Sequence, residues 1–252
     1  MAEKNPIQVA DKIFRAVEVL SEKGPLGVIE LSEALELNKT TVYRILSSLE
    51  YMGYCVQDPQ SMKYRLSGKW LQISGRLLEQ TDIIDVVKPY LKDLSVKTGE
   101  TVHLVQREGA DAIYIDKQES PTNLMRLASR IGKKIPLYRS GVGKALLADL
   151  PDAEIEKIWE KSSVEKLTEK TIVDKDMLFS RLQEIRKAGY ALDDEENERG
   201  VICVAVSLLP ADSVPRYAIS VSAPAGRMDA DTIKKTAALL LNVKKTIGPI
   251  GQ

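Results

Sequence analysis

Histidine and cysteine, the side chains that most often serve as catalytic bases and thiol nucleophiles, are scarce in this 252-residue sequence, which has one histidine and two cysteines. His103 is the only histidine, so a Ser–His or Cys–His pair would have to use it. It stands in an alternating, strand-like run, where a structural histidine is the commoner case. One run of four acidic residues places carboxylates together, as acid–base catalysis requires: Asp193, Asp194, Glu195 and Glu196. Such runs are more often solvated loops or strand edges. An enzyme acting on a small acid is therefore only an alternative.

Residues that bind metals are equally sparse. One histidine excludes two-histidine sites, and Cys55 and Cys203 are too far apart in sequence for a zinc motif. A mixed site of His103, Cys203 and carboxylates is the arrangement that stays open. We expect neither a metal nor an organic cofactor. The two cysteines also form no disulfide framework, which favours a reducing cytoplasm.

A glycine-rich segment begins at Ser140 and reads Ser-Gly-Val-Gly-Lys-Ala. A Walker loop would need glycine at Tyr138 and serine or threonine at Ala145, so the segment is not a phosphate loop of that kind. It is better interpreted as the start of a helix. The free N–H groups of that start could hold an anion, or it could be an ordinary helix N-terminus.

The elements that must position these residues differ between the two ends of the chain. Apolar residues at helical spacing predict helices over residues 7–20, 28–35 and 39–52. After Gly53 the period changes to two, which predicts a hairpin from residues 54–57 and 63–66. Helix, helix, turn, helix and hairpin is the order of a winged helix-turn-helix.

The third predicted helix has two opposed faces. Val42, Ile45, Leu46, Leu49 and Met52 form an apolar face. The other face offers short polar and cationic side chains near the N-terminus, which can reach base edges and phosphates in a major groove, while cations of the hairpin can reach phosphates beside it. The predicted DNA-binding residues are Asn38, which is also a suitable N-cap, and Lys39, Thr40, Thr41, Tyr43, Arg44, Ser47, Lys63 and Arg65.

The charge distribution supports this interpretation only locally. The whole chain has 36 basic and 36 acidic residues and no net charge, which argues weakly against a nucleic-acid-binding protein. Residues 1–37 hold four basic and seven acidic residues, a net charge of −3, whereas residues 38–70 hold five basic and two acidic residues, a net charge of +3. Two alternative interpretations of the N-terminal third remain open, namely a small helical bundle with a solvated face and a winged helix used for protein docking.

From residue 101 the pattern becomes mixed α/β. Strands are predicted over residues 101–106, 112–117, 123–128, 201–209 and 217–223, and helices over residues 141–149, 153–160, 175–188 and 229–247. Two further helices, over residues 70–80 and 82–99, connect the halves. We therefore place a DNA-binding domain at residues 1–70, a linker helix at 71–81 and a second domain at 82–252. No apolar run approaches the roughly 20 residues of a membrane span, so no membrane partner is expected.

Residues 27–54 resemble the DNA-binding domain of the IclR family of bacterial regulators, and residues 140–148, 189–197, 200–205 and 218–223 resemble that family's effector-binding domain. The resemblance implies an α+β protein, in which a linker helix joins the winged helix to a GAF/profilin-like α/β domain with a mainly antiparallel sheet. It implies a transcriptional repressor that binds partly palindromic double-stranded DNA as a homodimer, or as a dimer of dimers. A small-molecule effector, a carboxylate metabolite such as a keto acid, would control it.

Carried over position by position, the resemblance also implies an effector pocket. Ser220 and Ser222 have the same parity on one predicted strand, so their hydroxyl groups face the same side, which is either the pocket or an outward polar face. Asp194, Glu195 and Glu196 are expected at the surface. The implied pocket residues are Leu124, Leu127, Ile135, Gly141, Val142, Asp193, Cys203, Ser220 and Ser222.

One segment points to a particular effector. Residues 123–132 and 136–138 resemble the branch of the family that senses 2-keto-3-deoxygluconate. Arg126 and Arg130 in this segment are candidate partners for a carboxylate group, which a guanidinium binds in a bidentate manner.

Overall fold

The computed structural model describes residues 7–79, 82–120, 128–208 and 214–248. The chain divides into two compact units, Met1–Gln80 and Thr81–Gln252. None of the helices within the described ranges is long and apolar enough to cross a membrane.

The N-terminal unit contains the three predicted helices, the hairpin and one further helix. Its elements are α1 (Gln8–Lys23), α2 (Val28–Leu35), α3 (Lys39–Tyr51), β1 (Cys55–Gln57), β2 (Tyr64–Leu66) and α4 (Lys69–Glu79). The two strands are antiparallel, with Val56 opposite Arg65. The predicted winged helix-turn-helix is confirmed, and we call residues 55–66 the wing.

Local sequence explains where these helices begin and end. Gly24, with φ of 77°, ends α1, and Glu36, with φ of 56°, ends α2 in the left-handed conformation. Two residues later the Asn38 side chain accepts a hydrogen bond from the Thr41 N–H at 2.8 Å and caps α3. The turn between α2 and α3 is therefore short and fixed at both ends.

Each helix of this unit contributes one apolar face to a shared core. The wing closes that core from one side, since Leu26 pairs with Tyr64 through an isolated bridge. The buried side chains are Ala16, Val17, Leu20, Leu31, Leu35, Val42, Ile45, Leu46, Leu49, Cys55 and Tyr64. Burial of this set leaves the opposite face of α3 directed away from the core.

The C-terminal unit is built on a six-stranded antiparallel sheet in the order β5-β4-β3-β8-β7-β6. This arrangement confirms the predicted mainly antiparallel α/β domain. Its elements are α5 (Asp82–Thr98), β3 (Thr101–Glu108), β4 (Asp111–Gln118), β5 (Lys134–Pro136), α6 (Gly141–Ala148), α7 (Asp152–Lys161), α8 (Lys175–Ala188), β6 (Ala191–Asp194), β7 (Val201–Leu208), β8 (Tyr217–Pro224) and α9 (Ala230–Ile247), with a 3-10 turn at Ala225–Arg227.

Helices cover both faces of this sheet. The core on one face joins Val105, Ala205 and Ala218 to buried residues of α6, α7 and α8. Helices α5 and α9 contact each other and also pack on β3 and β7. All eight residues of α6 are buried, so this helix is the central element of its layer.

Two strands of the sheet were missing from the sequence prediction. Strands β5 and β6 have three and four residues, too few to show an alternating pattern of apolar and polar side chains. The strand predicted over residues 123–128 lies, except for its last residue, outside the described residues. The other predicted helices and strands are present, with ends that differ by one or two residues in most cases.

Candidate functional site

The exposed face of α3 carries most of the predicted DNA-binding residues. Thr40, Tyr43 and Arg44 are exposed, with Tyr43 57% accessible, while Val42 and Ile45 on the other side are buried. Lys39 and Asn38 are also exposed, whereas Thr41 and Ser47 are half-buried. The first turns of the helix therefore present hydroxyl, phenol and cationic groups together.

Met52 was predicted on the apolar face, and this was wrong. Its side chain is 42% exposed. The reason is positional, because α3 ends at Tyr51 and Met52 lies beyond the last helical turn that packs on the core.

The wing presents one exposed cation and one that is already paired. Arg65 is exposed on β2, while the Lys63 ammonium donates to the Glu30 carboxylate of α2 at 2.8 Å. Between the strands, the Asp58 carboxylate accepts hydrogen bonds from the N–H groups of Gln60 and Ser61, at 3.1 and 2.7 Å. The turn of the wing is thus fixed by its own side chains.

A cavity of about 300 Å³ opens in the C-terminal unit, between the sheet and the start of α6. Its wall is formed by strands from both halves of the sheet and by the segment before α6. The lining residues are His103, Tyr114, Ser129, Lys133, Lys134, Ile135, Pro136, Arg139, Ser140, Gly141, Val142, Leu167, Asp193, Asn197, Glu198, Val201, Cys203, Ser220 and Ser222.

Strand register explains why polar residues distant in sequence meet at this cavity. His103 on β3 lies opposite Ser220 on β8, Ser222 lies opposite Cys203 on β7, and Cys203 lies opposite Asp193 on β6. Directly paired residues in a sheet project to the same face. Four neighbouring strands therefore each contribute polar side chains to one wall.

His103 stands on β3, at one end of this row of four strands. Its Nε2 is 2.8 Å from the Ser129 hydroxyl, and its Nδ1 is 3.5 and 3.4 Å from the hydroxyl groups of Ser220 and Ser222. The imidazole also contacts the Tyr114 ring, with 5.0 Å between the ring centroids. Burial lowers the pKa of His103 to about 3, and the positive charge of Lys117 acts in the same direction. The ring is therefore neutral and has one donor and one acceptor nitrogen.

Asp193 is the buried carboxyl group of the cavity. Its Oδ1 accepts hydrogen bonds from the backbone N–H groups of Glu196 at 2.8 Å and Asn197 at 3.3 Å. Burial raises the pKa of Asp193 to about 7, although the positive charge of Lys144 opposes this change. The side chain therefore changes its charge near neutral pH.

The beginning of α6 forms the opposite wall. The Ser140 hydroxyl accepts a hydrogen bond from the Gly143 N–H at 3.1 Å and caps the helix. Among the described residues, the N–H groups of Gly141 and Val142 have no hydrogen-bond partner, as is usual for a first helical turn. These donors border the cavity, where a negatively charged group could accept from them.

Two glycines let α6 approach its neighbours. A Cβ at Gly141 would lie 3.3 Å from the Cys203 carbonyl oxygen and 3.5 Å from the Cβ of Asp193. A Cβ at Gly143 would overlap the backbone of Leu137. The glycine-rich segment therefore serves close packing of a helix N-terminus against the sheet.

A buried ion pair lies directly beneath this wall. The Lys144 side chain on α6 has 0% exposure, and its ammonium donates to the Glu196 carboxylate, which is 7% exposed. The other carboxylate oxygen, Oε2, is buried and has no hydrogen-bond partner among the described residues. The prediction that Glu196 lies at the surface was wrong, because Lys144 supplies a buried partner that spacing alone does not show. Asp194 and Glu195 are half-buried and contact Lys170.

The structure brings seven of the predicted effector-binding residues to the cavity, and Arg130 is exposed and does not line it. The serines are buried in the wall, so the outward polar face was the wrong alternative. The seven are Ile135, Gly141, Val142, Asp193, Cys203, Ser220 and Ser222. The remaining three, Leu124, Arg126 and Leu127, lie outside the described residues.

Several lining residues were not predicted from the sequence. His103 was interpreted as structural. Its place in an alternating strand could have indicated that its side chain shares a face of the sheet with polar residues of a neighbouring strand, as it does with Ser220. Arg139 stands directly before the glycine-rich segment, and its Nε donates to the Asn197 amide oxygen at 3.2 Å. Tyr114 and Ser129 had no distinguishing pattern.

The mixed-ligand metal hypothesis finds no support among the described residues. Within residues 7–79, 82–120, 128–208 and 214–248, no three side chains of histidine, cysteine, aspartate or glutamate are grouped closely enough to hold a metal ion.

Both units match known domains in the same order. Residues 9–59 match the IclR helix-turn-helix domain, and residues 75–248 match the C-terminal domain of the bacterial transcriptional regulator IclR. The chain belongs to the IclR family. It is a DNA-binding transcriptional regulator, and the family and its members are regulators rather than enzymes.

Individual IclR-family proteins are similar to the chain over nearly its full length. The HTH-type transcriptional regulator KdgR of Escherichia coli K12 is 34% identical over 247 residues, which cover 97% of this chain and 94% of KdgR. KdgR of Dickeya chrysanthemi is 32% identical over 97% of this chain and 81% of its own length. The solved IclR structure from Thermotoga maritima has a TM-score of 0.79 and 29% identity, covering 95% of this chain and 97% of that one. These relatives support the placement within the branch of the KdgR regulators.

The Lys144–Glu196 pair gives a prediction about stability. Lys144→Met leaves an uncompensated buried carboxylate, and we expect it to lower the free energy of unfolding by about 3–5 kcal/mol. The double variant Lys144→Met/Glu196→Met removes both charges and should recover most of this loss. Urea unfolding of the three proteins measures both effects. A cost below about 1 kcal/mol for the single variant would show that the pair does not hold α6 in place.

Proposed function

We propose that this regulator represses transcription as a homodimer bound to a partly palindromic operator, and that a small carboxylate metabolite in the C-terminal cavity controls its binding to DNA. The observation that supports the proposal most is the convergence of His103, Asp193, Ser220 and Ser222 on one cavity, opposite the N-terminus of α6. A bacterial regulator of this kind acts in the cytoplasm, where the chromosome is.

Size and polarity define the class of effector. A cavity of about 300 Å³ is at the lower end of the range for small-molecule sites, which suits a metabolite of sugar-acid size. The N–H groups of Gly141 and Val142 and the guanidinium of Arg139 favour a carboxylate at one end. The serine hydroxyl groups and His103 offer hydrogen bonds to hydroxyl or keto groups at the other end.

Among such acids, 2-keto-3-deoxygluconate fits this description and the resemblance of residues 123–132 and 136–138. Arg139 lines the cavity and Arg130 does not, so Arg139 replaces Arg130 as the candidate partner for the carboxylate of the effector. Pyruvate, a keto acid without hydroxyl groups, is the alternative of the same class.

For DNA, the first turns of α3 supply the groups that would enter the major groove, and the wing would lie on the adjacent backbone. Thr40 and Arg44 are exposed one turn apart, so they point to the same side of the helix. Arg65 is positioned for a phosphate. Lys63 would exchange its bond with Glu30 for a phosphate oxygen when DNA is present.

A second copy of the chain is the proposed partner of the exposed apolar side of α4. Leu71 is 76% exposed and Leu77 is 65% exposed. Their angular positions on a helix place them on one broad apolar side, which a soluble protein rarely leaves uncovered. Two-fold pairing through this side would present two α3 helices, as a partly palindromic operator requires. The effector would then act by changing how the paired winged helices are held on DNA.

The assignment of the α3 face can be tested with operator DNA selected from a random library. Arg44→Ala and Thr40→Ala should each weaken operator binding by about 1–3 kcal/mol, because each removes a contact to a base or phosphate. Circular dichroism should show unchanged folding. Arg15→Ala, at an exposed position on α1, is the matched control and should bind as the unmodified protein does. Undiminished binding by both α3 variants would refute the assignment.

The effector class can be tested by thermal shift with 2-keto-3-deoxygluconate, pyruvate and D-gluconate. A ligand that binds the native state raises Tm, and at a hundred times its Kd it adds about 2.7 kcal/mol of stability. Ser222→Ala should lose about 0.5–1.5 kcal/mol of the affinity for an acid that shifts Tm, since it removes a hydrogen bond to a hydroxyl or keto group. Ser180→Ala, at an exposed position of α8, serves as control. If no acid shifts Tm, the ligand class is wrong.

The proposed dimer can be tested by sedimentation velocity. Leu71→Asp/Leu77→Asp should convert dimers to monomers, because it places two charges in the apolar contact. Gln72→Asp adds a charge at an exposed polar position of the same helix and should leave the dimer intact. A dimer that persists in the double variant would mean that another surface makes the contact.

A further inference from the structure

Asp193 poses an electrostatic problem for any anionic effector. The residue is 3% exposed and lines the cavity. A carboxylate from an effector would therefore enter the same cavity as the side chain of Asp193. Two negative charges in a poorly solvated cavity repel each other strongly, because water screens them little.

The hydrogen bonds of Asp193 leave one of its oxygen atoms available. Both backbone donors, from Glu196 and Asn197, go to Oδ1. Among the described residues, Oδ2 has no hydrogen-bond partner. It is not a fully buried atom and keeps some accessible surface. A proton on Oδ2 would thus be directed to the cavity, where the carboxyl group could donate it to an effector oxygen.

The charged and titratable groups around Asp193 do not supply it with a dedicated cation. From α6, Lys144 faces it, but the ammonium is paired with Glu196. Within the described ranges, the other titratable groups that line the cavity make no hydrogen bond or ion pair with Asp193. They are His103 of β3, Tyr114 of β4, Cys203 of β7, Lys133 and Lys134 at β5, Arg139 before α6, and Glu198 in the turn after β6.

Three of the titratable side chains in the wall are uncharged. Burial lowers the pKa of His103 to about 3 and raises the pKa values of Tyr114 and Cys203 far above their ordinary range, so all three are uncharged at neutral pH. Lys134 is paired with Glu108, at 3.3 Å. Asp193 is therefore the group of the inner cavity whose charge can respond to an effector near neutral pH.

We infer that an anionic effector binds to the form of the protein in which Asp193 is protonated, so that binding takes up one proton from solvent onto Oδ2 of Asp193. The proton returns to solvent when the effector leaves. The carboxyl group then acts as a hydrogen-bond donor to the effector, and neutral sugars gain nothing from its protonation. This inference rests on the proposed small-acid effector.

The direction of the pH effect follows from the charge states. The ionised fraction of Asp193 grows as pH rises through about 7, and the effector must then restore the proton before it binds. The Kd of an acid that is fully ionised in this range should be nearly constant below pH 6. It should be about tenfold larger at pH 8 than at pH 6, because one proton is linked to binding.

Isothermal titration calorimetry with 2-keto-3-deoxygluconate and D-gluconate tests this on the full-length protein. At pH 7.5 the measured binding enthalpy should differ between phosphate and Tris buffers. The difference should be most of the difference between the ionisation enthalpies of the two buffers, because nearly one proton is taken up. Kd measured from pH 6 to 8.5 should follow the expected slope. Asp193→Asn cannot ionise and should remove both the pH slope and the buffer dependence. Glu198→Gln removes the other carboxylate that lines the cavity and should keep both.

The possible outcomes separate the two ideas. If an acid binds with the same Kd at pH 6 and 8 and with no buffer dependence, the proton uptake is refuted while the proposed function stands. If neither acid binds at either pH and pyruvate causes no thermal shift, the proposed effector class fails, and this inference fails with it. Should Asp193→Asn not fold, the buffer dependence of the unmodified protein decides alone.

Discussion

The structure around the cavity depends on how buried charges are satisfied. Lys144 lies on a helix whose residues are all buried, and an ammonium group there is tolerable only with a partner at hydrogen-bond distance. Glu196 supplies that partner from the turn after β6. The same residue donates its N–H to Asp193, so a single turn joins α6, the edge of the sheet and the cavity wall. The position of α6 and the hydrogen bonding of the cavity carboxyl group therefore depend on the same turn.

The N-terminal unit could be predicted in detail because its information is local. The apolar spacing within α3, the capping side chain of Asn38 and the breaks at Gly24 and Gly53 are all properties of neighbouring residues. Such patterns specify helices and turns without knowledge of the rest of the fold. Met52 shows the limit, since its exposure depends on where the helix passes beyond the core.

The cavity could be predicted only in part, because strands distant in sequence form it. The equal parity of Ser220 and Ser222 was visible, but the pairing of His103 with Ser220 spans more than a hundred residues and leaves no local pattern. The partner of Lys144 is equally distant, and a run of four acidic residues does not reveal which of them is buried. The family resemblance supplied positions that periodicity could not.

Cys203 in the wall of the cavity has a consequence for the chemistry that the protein can withstand. The thiolate is the form of cysteine that reacts with oxidants and alkylating agents. Burial raises the pKa of the Cys203 thiol far above its ordinary value, and burial also raises that of Cys55 to about 11, so both sulfur atoms stay protonated. Both sulfur atoms are therefore weak nucleophiles at neutral pH, and mild oxidants or alkylating agents that modify thiolates should react slowly with this protein.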